Sequence, residues 1–261
     1  MTTWLQVWLI LFHGLFGQSI LGPMMNGTFP TGGGATCCTV IDGATAPGTG
    51  GSTTFSASHN LNLAAHDQVW IYLSYPVVTN CATPTLTWSD TAGNSFTLVS
   101  GSSKVLNQTT GLHCSAQFQI TDAIANSADT IQVVVSSGLT NSSGGFQAIQ
   151  IRGTANAAAD TQANYDASGG AQSTTVVPSM TSTVAKSIVV AGMNYSGPGV
   201  TATPTTNGCF STTGSTPANT GNSSTTWTAV QYVILSSTAS STCSFDNDIS
   251  VNSLAQGAIF H

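Results

Sequence analysis

The chain has 261 residues, 41% hydrophobic and only 5% charged, against about 25% charged in an ordinary soluble domain. Three cations (Lys104, Arg152, Lys186) face nine acids, all of them Asp, for a net charge of −6. That excludes a nucleic-acid surface and argues against an anionic membrane, since both require clustered Lys and Arg.

Taken in chain order, residues 4–17 (WLQVWLILFHGLFG) form an apolar run too short to cross a hydrocarbon core of about 30 Å. Small residues at Gly17 and Ser19 place a cut before Ile20, so residues 1–19 read as a secretory signal peptide. The alternative is an apolar strand or helix kept in the mature chain. Residues 20–53 are rich in Gly, Thr and Pro and read as a linker or loosely attached arm. The β-domain is expected over 54–261. Its first strong element, residues 69–75 (VWIYLSY), is apolar on both faces and suits a central strand.

Residues 85–100 (TLTWSDTAGNSFTLVS) alternate apolar and polar on either side of Asp90-Thr91-Ala92-Gly93-Asn94. Asp bonds its own backbone two residues on, and Gly and Asn tolerate positive φ, so the segment predicts a hairpin. Such a hairpin gathers Leu86, Trp88, Phe96 and Leu98 on one face. Further strands follow at 113–121, 130–135 and 146–151, and no segment shows a capped 3.6-residue period. The second half repeats the first in outline, with 185–195 standing like 66–75, 226–235 like 112–120 and 251–260 like 144–153. This degenerate repeat of about 115 residues points to two pseudo-equivalent halves of one two-layer antiparallel sandwich.

The strands NLNLAAHDQVWIYLSY, TLTWSDTAGNSFTLVS, LHCSAQFQI, TIQVVVSS, FQAIQIRGTANAAAD and KSIVVAGM resemble a jelly-roll module of secreted bacterial proteins. That module carries a D-x-x-G-N-x-[WYF] hairpin, matched by Asp90, Gly93, Asn94 and Phe96, and closes on a short apolar strand. The resemblance covers residues 53–261 and implies a jelly-roll fold without a defined activity. Two departures, His66-Asp67 in place of Gly-Asp and Gln150 in place of an acid, bear against an acid-dependent site.

Six cysteines (Cys37, Cys38, Cys81, Cys114, Cys209, Cys243) fit an oxidising, extracellular compartment. Neighbouring strands favour pairing Cys81 with Cys114 and Cys209 with Cys243. The adjacent Cys37 and Cys38 then form either a vicinal ring or an intermolecular link. Hydrolase signatures, a P-loop and a G-x-G-x-x-G are absent, and no cofactor is expected. Trp70 and Tyr72 point away from Val69, Ile71 and Leu73, which makes them candidates for a sugar-stacking platform or for packing under a second layer. Asp246 and Asp248 stand in an alternating oxygen-bearing segment that suits either a Ca²⁺ loop or the polar face of a strand. His59 and His66 are exposed loop histidines or, less simply, a metal pair. The expected function is a non-catalytic extracellular surface or adhesion module that binds a glycan or surface polymer. The alternative is a structural subunit that assembles with copies of itself into a fibre or coat, with no membrane insertion once the signal is removed.

Overall fold

A computed structural model describes residues 38–47, 53–82, 84–108, 111–136, 144–155, 159, 161–166, 172–196, 205–209, 218–221 and 226–261. By its internal contacts the chain divides into Met1–Gly33 and Gly34–His261. The first unit, with the expected signal peptide, lies outside the described residues.

The described residues contain strands and no helix, as the alternation predicts. In the first half these are β1 (Thr39–Pro47), β2 (Thr54–Ser56), β3 (Leu61–Leu63), β4 (Gln68–Val77), β5 (Leu86–Ser89), β6 (Thr97–Leu98), β7 (Lys104–Gln108), β8 (Gly111–Ile120), β9 (Asn126–Asp129), β10 (Gln132–Val135) and β11 (Gly145–Arg152). One sheet runs β1-β11-β4-β8-β6, with β7 also on β8. A second runs β2-β10-β5, and β3 pairs with β9. Every ladder here is antiparallel. The two sheets meet in a sandwich-like core of Val69, Ile71, Leu73, Phe118, Phe146, Phe55 and Val133. Leu86, Trp88 and Phe96 close its margin. Because side chains alternate across a strand, Trp70, Tyr72 and Ser74 face the other way.

The second half contributes β12 (Thr161–Asp166), β13 (Gln172–Val176), β14 (Met180–Thr181), β15 (Ser187–Ser196), β16 (Thr205–Cys209), β17 (Ala218–Gly221), β18 (Thr226–Leu235), β19 (Ser240–Ser241) and β20 (Cys243–Phe260). Its larger sheet runs β12-β20-β15-β18-β17, while β13 and β16 also pair with β20 and β14 pairs with β19. Val189, Ala191, Met193, Val233, Phe245 and Ile259 build a second core. The opposite face of β15, with Gly192 and Asn194, lies against Tyr72 and Ser74. The two large sheets are thus packed back to back, and each carries a smaller sheet on its far side.

Two expectations are corrected. Residues 85–100 do not make a paired hairpin: β5 pairs with β10 and β6 with β8, so the turn carries the chain from one sheet to the other. Leu98 consequently stays exposed rather than joining Leu86, Trp88 and Phe96. The expected arm at 20–53 is partly built into the fold, because Thr39–Pro47 pairs along the whole of β11 and buries Ala44 and Ala46. Its Gly, Thr and Pro content hid a strand whose buried residues are only Val40 and two alanines.

Candidate functional site

The expected aromatic platform is the first candidate. Trp70 and Tyr72 stack at 6.1 Å with an interplanar angle of 27°, but they are 1% and 0% exposed. Trp70 Nε1 donates to Gln117 Oε1 at 2.9 Å. Tyr72 OH donates to Leu254 O at 3.2 Å and to Asn194 Oδ1 at 3.4 Å. Burial pushes the Tyr72 phenol far above its ordinary value, against weaker opposing hydrogen bonds from Ser115 and Asn194. A Cβ on Gly192 would lie 2.4 Å from the Tyr72 ring, so the missing side chain is what admits that ring. Tyr72 joins the two large sheets, and Trp70 is buried beside it, bonded to Gln117 within its own sheet. They offer no face to a sugar, and the platform is corrected to packing under a second layer.

Around them the joint is polar. Asn194 Nδ2 donates to Ser74 Oγ at 3.0 Å, and Gln147 Nε2 donates to Thr228 O at 3.1 Å. Gln256 donates to Ser102 O from the other side. Buried amides of this kind are tolerated because their donors are matched, and they fix the register of the two sheets.

The second expected site, Asp246 and Asp248, falls within the continuous strand β20. Asp246 stands opposite Thr174 on β13 and Thr205 on β16. Extended backbone lacks the sharp turn of a Ca²⁺ loop, so the alternating oxygens are those of a strand. The side chain of Asp248 lies outside the described residues. Among the described residues no group of three or more His, Cys or Asp is placed to hold a metal.

Of the two expected pairings, the first is present among the described residues. Cys81 and Cys114 are bonded, with Cα atoms 5.5 Å apart, tying the segment after β4 to β8. Cys38 and Cys243 each take part in a disulfide, and the backbone of β16 places Cys209 opposite Cys243 in the ladder. Cys37 lies outside the described residues.

Sequence reasoning passed over two polar clusters. In the first, the buried Asp67 carboxylate accepts from Arg152 Nε at 2.7 Å and Nη2 at 2.8 Å, from Gln150 Nε2 at 2.6 Å and from Ala64 N at 2.8 Å. Burial alone would raise its pKa, but the Arg152 bonds and the two neutral donors hold it below the ordinary value. Preceding it, His66 takes a left-handed φ of 69°. Asp67 and Gln150 therefore meet each other and, with Arg152, latch the start of β4 to the end of β11.

The second cluster surrounds the turn at 90–94. Asp90 Oδ1 accepts from Gly93 N at 2.7 Å and Asn94 N at 2.9 Å, and Oδ2 accepts from Asn94 Nδ2 at 2.7 Å. Asp129, buried at the end of β9, holds the turn from outside through Ala92 N at 2.9 Å and Thr91 Oγ1 at 3.0 Å. The Asp90 carboxyl lies beside it. Asp129 gave no sequence signal, since it stands alone in a polar stretch far from the turn it caps.

The histidines divide by exposure. His59 pairs with Asp42 at 3.4 Å and His66 with Asp122 at 2.8 Å, both near solvent. Each histidine thus has its own carboxylate partner rather than the other histidine. His113 is buried on β8, and burial pulls its pKa down to about 4.

No protein-family model, no curated protein and no solved structure matches this chain. Among the described residues no helix is long and apolar enough to cross a membrane.

Proposed function

We propose that this is an extracellular, non-catalytic structural subunit, made of two jelly-roll units fused in tandem, which assembles with copies of itself. The strand orders support the tandem reading. β1-β11-β4-β8 faces β2-β10-β5, and β12-β20-β15-β18 stands to β13-β20-β16 in the same sequence. Alternation of successive strands between two layers is what a jelly roll requires. Equivalent residues also meet: Ser74 bonds Asn194 120 positions on, and Tyr72 covers Gly192 at the same offset. His66 and Lys186, again at that offset, share a left-handed φ. Contacts between equivalent positions are the signature of an isologous pairing, here within one chain. The disulfides suit an oxidising compartment.

The observation that carries the assembly reading is the outer face of β2-β10-β5. Val134 lies between Thr54 and Thr87, and Gln132 between Ser56 and Ser89. The row is uncharged, and Val134 and the Thr and Ser side chains are exposed. Little repulsion opposes the approach of a second such face. Light scattering and negative-stain microscopy of the oxidised full chain test the reading. Association should rise with concentration and should be lost in Val134→Lys. A monomer at every concentration would overturn it. The same hydroxyl and amide row supports the second reading, hydrogen bonding to a glycan or surface polymer. Retention on a glycan array that Val134→Lys abolishes, with no self-association, would favour it.

A further inference from the structure

Asp129 is fully buried, and its Oδ2 meets no hydrogen-bond donor. Its other oxygen is used by Thr91 and Ala92. The neighbouring group is a second carboxyl, Asp90, which already holds Gly93 N, Asn94 N and Asn94 Nδ2. A buried anionic oxygen without a donor is costly, and an adjacent anion compounds the cost. A proton or a metal ion must stand between the two carboxyls, and none of the three basic side chains is placed to do so. Arg152 is committed to Asp67 and Lys104 lies on β7. Lys186 sits in the other half, beside β15.

We infer that the turn at 90–94 is a low-affinity Ca²⁺ site, with Asp129 Oδ2 and Asp90 Oδ2 as its protein ligands and water completing the shell. Hard oxygen donors and no nitrogen or sulfur select Ca²⁺ over transition metals. Two carboxylates place its affinity with extracellular modules, at a Kd of about 10⁻⁴–10⁻³ M. Burial first, and then the Asp90 charge, raise the Asp129 pKa above the ordinary carboxylate value. Bound calcium reverses both effects. The ion joins β9 to the crossing between β5 and β6, so it stiffens the link between the two sheets of the first half.

The test uses chelator-stripped, oxidised full-length protein at neutral pH. Calorimetric titration with CaCl₂ should show one saturable site, and thermal unfolding should shift up by a few degrees in millimolar CaCl₂ but not in equimolar MgCl₂. Asp129→Asn should lose both responses. Its metal-free form should be at least as stable as the metal-free parent, because the new amide donates to Asp90. Asp90→Asn, which keeps Asp129, serves as the second variant and should also lose the titration. No heat on titration, or an equal shift with Mg²⁺ or in Asp129→Asn, overturns the site. Stability that ignores calcium but falls as pH rises, and does so only while Asp129 is present, also overturns it and assigns the pair to a shared proton.

Discussion

His113 shows how much a single buried group costs in a chain with few charges to compensate it. Its folded pKa of about 4 lies below the ordinary 6.5, so between these values the unfolded chain binds a proton that the folded chain refuses. Stability is therefore complete above pH 6.5 and falls as the pH drops toward 4, by a total of about 3 kcal/mol. Urea titrations across that window should show the loss, and His113→Gln should flatten it. Asp67 works in the same direction at lower pH. Its pKa is held down, so its contribution is present above the unfolded carboxylate value and disappears as pH falls through the folded one. Asp67→Ala removes the acceptor of Arg152, Gln150 and Ala64 N together, and should cost about 3 kcal/mol in denaturant unfolding at neutral pH. Neither role is written in the local pattern. His113 sits in an ordinary alternating strand, and Asp67 finds Arg152 only because β11 lies beside β4 in space.

At the scale of the element, apolar content located β4, β8, β11, β15 and β18, as alternation or as an unbroken run, because each buries large side chains. It failed where strands are built from small or polar residues. β1 buries alanines, and β12 (TQANYD) and β13 (QSTTV) carry almost no apolar signal, yet they pair along β20. The turn at 90–94 was read correctly as a turn and wrongly as a hairpin, since local chemistry specifies a reversal but not which sheet receives the next strand. Trp70 and Tyr72 show the same limit: periodicity says they share a face, and only the second sheet says that the face is covered. That covering depends on Gly192. Gly192→Ala should force the Tyr72 ring aside and cost about 1–3 kcal/mol. Adding Tyr72→Leu should restore part of the loss if the clash is the cause, as a double-mutant cycle in urea would measure. The bond between Cys81 and Cys114 closes a loop with a sequence separation of 33. Replacing both by Ser should lower stability by about 3–4 kcal/mol on chain-entropy grounds.

For the whole molecule, the question is whether the two halves unfold together. Each has its own apolar core, one around Ile71 and Phe118 and the other around Val189 and Phe245, so either could in principle melt alone. The joint between them argues otherwise. Opening it would expose the rings of Trp70 and Tyr72 to water, and would strip Gln117, Gln147, Asn194 and Gln256 of partners that lie across the gap. Water would rehydrate the amides, so the hydrogen bonds alone give only a modest net gain. The aromatic area and the close fit on Gly192 supply the remainder. Coupling through that joint predicts a single calorimetric transition whose van't Hoff and measured enthalpies agree. Gly192→Val, which wedges the sheets apart without touching either apolar core, should split it into two. If the parent already shows two transitions, or Gly192→Val leaves one transition at an unchanged Tm, the halves are not coupled through Tyr72 and Gly192. The tandem reading would then lose the contact that makes the two units a single body.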